Sequence, residues 1–289
     1  MAVVAYSLWG LLPIYWKLLG AVPAIEVLTH RIVWSLGFIA VLLFARRGWR
    51  RTLGFLRDRE TRGAMLLSTA LIATNWFIFI WAVSADRVTE ASLGYYINPL
   101  LNVALARVFL GERLRPLQGV AVALAAIGVV TLTVMRGELP WVSVVLAVSF
   151  ALYGLVRKRT PVGAVEGRAI ETGLVTPLAI GYLLLLSPPL GHLVTADPVT
   201  VGLLVGAGVI TAVPLLAFAG AARRLRYTTL GMIQYLAPTL QLGCAVLLYG
   251  EAFTQAHAIT FGLIWIAVLL YVIDMLRRPS PDPAPARST

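Results

Sequence analysis

Three groups of residues in this 289-residue chain could do chemistry. Glu26, His30 and Arg31 form the first. A spacing of four puts Glu26 and His30 on one helix face, with Arg31 a step round. A carboxylate, an imidazole that titrates near neutral pH and a guanidinium could together relay a proton or respond to charge. Glu90 and Glu171 are further carboxylates within apolar stretches. The second group is built from amides and aromatics. Tyr95, Asn98 and Asn102 recur at three and seven residues, which is one helix face, and a matching face 139 residues later carries Gln234, Ala237 and Gln241. Asn75-Trp76 and Trp34 add to it. Amides between aromatic walls suit reversible binding of a small amphipathic solute. The third group is Pro99 and Pro238, each of which frees a carbonyl one turn back and weakens its helix, as a hinge requires. No phosphate loop, zinc-protease helix or nucleophile elbow is present. An ATP-driven pump within this chain is therefore excluded, and neither a metal nor a cofactor is called for.

These residues sit in a chain that is 59% apolar and only 13% charged, against roughly 45–50% and about 25% for soluble domains. Mean hydropathy is +0.85. A membrane helix needs ~20 largely apolar residues, and ten such runs can be read: 2–19, 25–45, 63–84, 89–110, 115–134, 139–156, 168–187, 198–220, 228–249 and 254–275. The segment 46–62 between the second and third is Arg-rich and reads as an amphipathic connector. The proline-rich tail 279–289 has the composition of disorder. The chain opens directly on an apolar run, which reads as the first helix and not as a removed leader.

The formal charge of +11 is sorted by side. Counted across alternate gaps, one side holds Arg46, Arg47, Arg50, Arg51, Arg57, Arg59, Arg62, Arg107, Arg113, Arg115, Arg157, Lys158, Arg159, Arg168, Arg223, Arg224, Arg226, Arg277, Arg278 and Arg287, which is 20 of the 24 Lys and Arg. The other holds Lys17, Arg31, Arg87 and Arg136. Lys and Arg gather in cytoplasmic loops, so both termini are expected in the cytoplasm. The charge is a topology signal with anionic lipid as a candidate partner, and no nucleic acid is needed. The single cysteine, Cys244, lies in an apolar run and reads as a small buried hydrophobe.

A duplication organises the chain. Tyr96-x-x-Pro99 followed by Gly111-Glu112 returns, offset by 139 residues, as Tyr235-x-x-Pro238 followed by Gly250-Glu251. Ala24-Ile25-Glu26 likewise matches Ala164-Val165-Glu166, and Trp9-Gly10 resembles Tyr153-Gly154. Each half, 1–137 and 138–278, then holds five spans. An odd number makes the second half enter from the opposite side, so the repeat is inverted, and the arginine pattern agrees. Inverted repeats set a substrate site near the midplane and support alternating access.

Each candidate has two readings. Arg31 lies ~7 Å inside its helix, deep enough to require a partner, with Glu26 or Glu90 expected on the same side. The cluster is then either a proton- or charge-responsive outer gate or an ion-paired helix end. The second asks for less. A direct Arg31–Glu171 bridge would have to cross about 15 Å of depth, so Glu171 is expected to meet Arg168, Arg223 or Arg226, either as a proton-coupling group or as a structural ion pair. The amide faces line a cavity or glue helices together. Trp9, Trp16, Trp141 and Trp265 read as interface anchors, and Gly202-x-x-x-Gly206 with Gly208 as a close-packing face.

Several stretches together carry a family resemblance: Glu26-x-x-Thr29-His30-Arg31-x-x-Trp34-Ser35, Asn75-Trp76, Glu90-Ala-Ser-Leu-Gly94-Tyr95-x-Ile97-Asn98-Pro99 and Phe109-Leu-Gly-Glu-Arg113. They continue with Tyr153-Gly-Leu-Val-Arg157-Lys158, Pro214-Leu-Leu, Gly231-x-x-Gln234-Tyr235-x-x-Pro238-Thr239 and Tyr249-Gly-Glu251. Over essentially its full length the chain resembles the drug/metabolite transporter superfamily and, within it, the RarD-type EamA transporters. The resemblance implies an all-α polytopic membrane protein of ten helices with cytoplasmic termini, and secondary transport of small solutes across a bacterial inner membrane. The leading expectation is an exporter of a small amphipathic metabolite, amino-acid-like solute or drug, with proton coupling open and either a monomer or a homodimer. A lipid flippase or scramblase is the alternative, and an intramembrane enzyme ranks below it.

Overall fold

The computed structural model describes residues 1–110, 115–186, 188–222 and 233–277. Gly111-Glu112, Arg113, Arg223, Arg224, Arg226, Gly231, Arg278, Arg287 and the tail 279–289, all used in the sequence reading, lie outside them. The described elements are α1 (Ala2–Leu18), α2 (Ala24–Ala45), α3 (Trp49–Phe55), α4 (Arg59–Ser84), α5 (Val88–Leu110), α6 (Pro116–Arg136), α7 (Trp141–Arg159), α8 (Ala164–Leu185), α9 (His192–Thr195), α10 (Pro198–Ala222), α11 (Leu236–Gly243) and α12 (Gln255–Arg277), with a π-helical turn, Cys244–Leu248, continuing α11. No strand occurs among the described residues. Helix is the expected answer for apolar chain in lipid, because it satisfies every backbone group within its own segment.

Among the described residues, five helical segments are long and apolar enough to cross a membrane: Ala24–Ala45, Arg59–Ser84, Pro116–Met135, Ala164–Leu185 and Gln255–Asp274. Ala2–Leu18, Trp141–Arg157, Pro198–Pro214 and Leu236–Leu248 are shorter apolar helices. The protein is a multi-pass membrane protein. Large side chains such as Phe44, Val134, Leu178 and Leu185 are more than 70% exposed on the outside of the bundle, where lipid would cover them. The expected connector 46–62 contains α3, and Asp58 ends it by accepting from Thr61 N at 2.7 Å, which caps α4.

α6 packs along α12, α5 along α7, α2 along α8, and α4 along α7 and α8. α10 runs along α2 and α1, and α11 lies against α1 and α5. The two largest apolar cores among the described residues lie, one among α1, α2, α4, α7 and α10 around Trp16, Ile32, Ile80 and Leu146, the other around Leu93, Leu132, Phe261 and Ile264. Glycine permits the tightest approaches. A Cβ at Gly94 would stand 2.7 Å from the carbonyl oxygen of Ser143, so α5 can lie on α7 only without one. Two expectations need correcting. Gly206 and Gly208 face Tyr15 and the backbone of Trp34, but nothing lies within 4 Å of a Cβ at Gly202, so the packing face is shorter than its motif. Trp16 is 1% exposed inside the core and is no interface anchor.

Candidate functional site

α2, α4, α8 and α10 bring a polar layer together inside this apolar bundle. Arg31 projects from α2 and is 6% exposed. Its Nε donates to the Thr211 hydroxyl of α10 at 3.0 Å, and that hydroxyl donates in turn to the Ala207 carbonyl. The guanidinium lies over the Trp76 ring of α4, 4.5 Å from its centroid, and over Trp16 at 5.3 Å. The Arg168 guanidinium of α8 lies over the same Trp76 ring at 4.7 Å. Two cations thus share one indole, whose negative face offsets part of their desolvation. The expected carboxylate partner of Arg31 is absent: among the described residues no Asp or Glu comes within ion-pair distance of it, because Glu26 and Glu90 are engaged elsewhere.

Glu171, 2% exposed on α8, accepts from Ser68 of α4 at 2.6 Å and from Tyr153 at 3.4 Å. Arg157 and Arg168 each stand 3.6 Å from its carboxylate, which brings α7 to the same cluster. Arg157 also donates to the carbonyls of Val162 and Gly163 at 3.3 and 2.9 Å. Arg168 is one of the partners expected from sequence, whereas Arg157 was missed. Thr211 as the partner of Arg31 and Arg168 as a companion of Trp76 were missed too, since no spacing relates residues on different helices.

Glu26 binds the segment that follows α8. Its carboxylate accepts from the His192 backbone N at 2.7 Å and lies 2.9 Å from His192 Nδ1, while His30 Nε2 stands 3.8 Å away. Gly191, at φ +51°, makes room, since a Cβ there would run into that carboxylate. Glu90 receives both the Nε and an Nη of Arg87, at 2.8 and 3.0 Å, and Lys17 pairs with Asp86. Glu251, read from sequence only as a loop boundary, accepts from Val88 N and Thr89 N at 2.7 and 2.8 Å. It therefore closes the N-terminus of α5 from the other half of the chain, favourably placed on the positive end of the helix dipole.

The amides are placed as follows. Asn75 accepts from the Tyr95 hydroxyl at 3.1 Å and donates to the Leu146 carbonyl and the Ser149 hydroxyl, both at 3.0 Å. Asn98 donates to the Ala147 carbonyl at 3.2 Å and accepts from Asn102 at 3.1 Å. Gln241 donates to the Trp9 carbonyl at 3.2 Å, and Gln234 is half-buried. Asn75 and Asn98 thus fasten α4 and α5 to α7, and Gln241 fastens α11 to α1. Asn102 is exposed, and the Trp34 indole N–H is buried without a hydrogen-bond partner. α5 continues unbroken through Pro99, while the Pro238 carbonyl accepts from Ser92 at 2.7 Å.

A sequence profile described as the EamA-like transporter family matches residues 1–134. The chain is 48% identical to an "Uncharacterized transporter" of Vibrio cholerae, covering 96% of this chain and 92% of that one. It is 43% identical to "Protein RarD" of Escherichia coli K12, covering 96% and 94%, and 34% identical to "Chloramphenicol-sensitive protein RarD" of Pseudomonas aeruginosa, over the same shares. A protein of known crystal structure shares the fold with a TM-score of 0.60 at 23% identity, over 96% of this chain and 97% of that one.

Proposed function

Since the chain belongs to the EamA-like transporters of the drug/metabolite transporter superfamily, with the RarD proteins as relatives, we propose that it is a secondary transporter working by alternating access of two inverted five-helix repeats, 1–137 and 138–278. Its cargo is a small amphipathic metabolite, amino-acid-like solute or drug, and its direction is export across a bacterial inner membrane with both termini cytoplasmic. One observation carries the reading: the buried polar layer of Arg31, Trp76, Arg168, Thr211 and Glu171 is shared between α2 and α4 of the first half and α8 and α10 of the second. Charged side chains are costly inside an apolar bundle and are kept where a solute or ion must pass.

The helix pairings support the two-repeat reading. Exchanging the halves maps α6–α12, α2–α8 and α5–α11 onto themselves. The same exchange turns α5–α7 into α11–α1, α4–α7 into α10–α1, and α2–α10 into α8–α4, all of which are contacts in this structure. Solute binds where the halves meet, near Trp34, Asn75, Trp76, Tyr95, Asn98, Asn102, Gln234 and Gln241. Glu26, His30, Arg31, Glu90 and Glu171 supply gating or charge coupling, and Pro99 and Pro238 let the helices bend. Purified protein in proteoliposomes tests this. Protein-dependent flux of labelled phenylalanine or chloramphenicol, with or without a proton gradient, is expected. Flux equal to that of protein-free vesicles in every condition refutes it.

A further inference from the structure

Among the described residues, three buried donors in the layer around Trp76 lack a hydrogen-bond partner. Arg31 Nη1, Arg168 Nη1 and Trp16 Nε1 each have none. Each acceptor nearby already takes at least one hydrogen bond: the Thr211 hydroxyl from Arg31, the Asn75 amide oxygen from Tyr95, and the Glu171 carboxylate from Ser68 and Tyr153. A site built to take an amine or a hydroxyl proton would offer spare acceptors. This one offers spare N–H groups and positive charge. An arginine that is 6% exposed with an unbonded N–H, and with no carboxylate beside it among the described residues, is a costly arrangement for the resting protein. It becomes favourable when an anion enters.

We propose that Arg31 and Arg168, held over Trp76, bind the carboxylate of the transported solute, so that the cargo is a carboxylate-bearing metabolite and not a neutral or purely cationic one. The inference rests on the transport reading and names its substrate class. The planar guanidinium fork matches the two oxygens of a carboxylate. Arg31 comes from the first half and Arg168 from the second, so one carboxylate engages both halves. Glu171 stands 3.6 Å from Arg168, farther than a hydrogen bond, and acts as a displaceable counter-ion. It is not stranded when displaced, because Ser68, Tyr153 and Arg157 remain with it. Arg31 of α2 is 6% exposed and its neighbours come from α1, α4, α8 and α10, so the site lies within the bundle, which selects a free solute over a lipid headgroup.

The test uses the full chain in phosphatidylcholine nanodiscs, with thermal unfolding read against phenylalanine, phenylacetate, glutamate and, as the neutralised control, phenylalaninamide. At least one carboxylate is expected to raise the midpoint in a concentration-dependent way, while phenylalaninamide does not. Arg31→Gln is expected to abolish that shift and to leave the ligand-free midpoint unchanged or higher, because it deletes an uncompensated charge. Arg168→Lys keeps the charge, loses the fork, and weakens carboxylate binding by about tenfold or more. No shift with any of the three acids, an equal shift with the amide, or a full shift in both variants overturns the proposal. So does a ligand-free midpoint that collapses in Arg31→Gln while Arg168→Lys binds normally, since Arg31 is then structural. Counterflow in proteoliposomes separates the two ideas. Movement of chloramphenicol without any carboxylate leaves transport standing and removes this site. Arg31-dependent carboxylate binding without flux of any solute keeps the site and removes transport.

Discussion

Replacing Glu171 by Gln keeps the shape of the side chain and removes one negative charge from between two arginines. Its carboxylate is 1% exposed, and the Arg157 and Arg168 side chains are 14% and 12% exposed, so solvent screens the pairs little. Removing one partner of a buried ion pair costs about 3–5 kcal/mol. The loss here belongs at the lower end of that range. Arg157 keeps its bonds to the Val162 and Gly163 carbonyls, Arg168 keeps Trp76, and the Gln oxygen can still accept from Ser68. A loss of about 3 kcal/mol is therefore expected, read as equilibrium unfolding of the detergent-solubilised protein. Arg168→Gln in the Glu171→Gln background should then cost much less than Arg168→Gln alone, since a neutral pair replaces an ionic one. A double-mutant cycle measures this as a coupling of about 1–2 kcal/mol. If Glu171→Gln costs under about 1 kcal/mol, or if the two changes add without coupling, the cluster is not held by these charges and the reasoning fails.

Four further outcomes follow from single positions. Gly94→Ala sets a methyl 2.7 Å from the Ser143 carbonyl oxygen of α7, where backbone cannot yield, and should lower stability by about 1–3 kcal/mol. Gly202→Ala meets nothing and should leave the unfolding midpoint unchanged or raise it through helix propensity, and the reverse order would contradict the helix placement. Glu251→Ala removes the acceptor for Val88 N and Thr89 N and should cost about 1–2 kcal/mol, with faster hydrogen exchange confined to the first turn of α5; unchanged exchange there would disprove the cap. Asp58 is held below the usual carboxylate range by its hydrogen bonds with Thr61. A carboxylate depressed on folding stabilises above its unfolded pKa, and that contribution is lost as pH falls through the lower folded value. Amide exchange at Thr61, corrected for intrinsic rate, should thus accelerate on acidification in the wild type and stay level in Asp58→Asn.

The helices were legible because their cause is local. Runs of apolar residues near the length of a bilayer core have one solution, and the expected segments agree with the observed helices to within a few residues at most ends, as in 25–45 against Ala24–Ala45 and 198–220 against Pro198–Ala222. Same-helix relations were equally legible. Glu26 with His30 at four residues and Asn98 with Asn102 at four residues meet as the helical repeat requires. The partners of Arg31 were not legible. Thr211 lies 180 residues away, and Trp16, Trp76 and Arg168 come from three further helices, so nothing in the spacing of any one segment points to them. Depth counted at the Cα sets Arg31 and Glu171 about 15 Å apart across the bilayer core, but a charge need not sit at its Cα. Long arginine side chains travel along the bundle, and Arg168 links Glu171 to the indole that Arg31 covers.

By itself the amino-acid sequence determined that this chain folds as apolar helices, that its Tyr-x-x-Pro and Gly-Glu motifs recur at an offset of 139 residues, and which polar residues are too expensive in lipid to be accidental. Those properties depend on composition, period and repetition, which are written along one dimension. The tertiary structure alone decided which charges meet. It gave Glu26 to His192, Glu90 to Arg87, Glu251 to the start of α5 and Glu171 to two arginines, and it set Arg31 over Trp76 with an unbonded N–H and, among the described residues, no carboxylate. Electrostatic energy falls with distance in space and takes no account of distance along the chain.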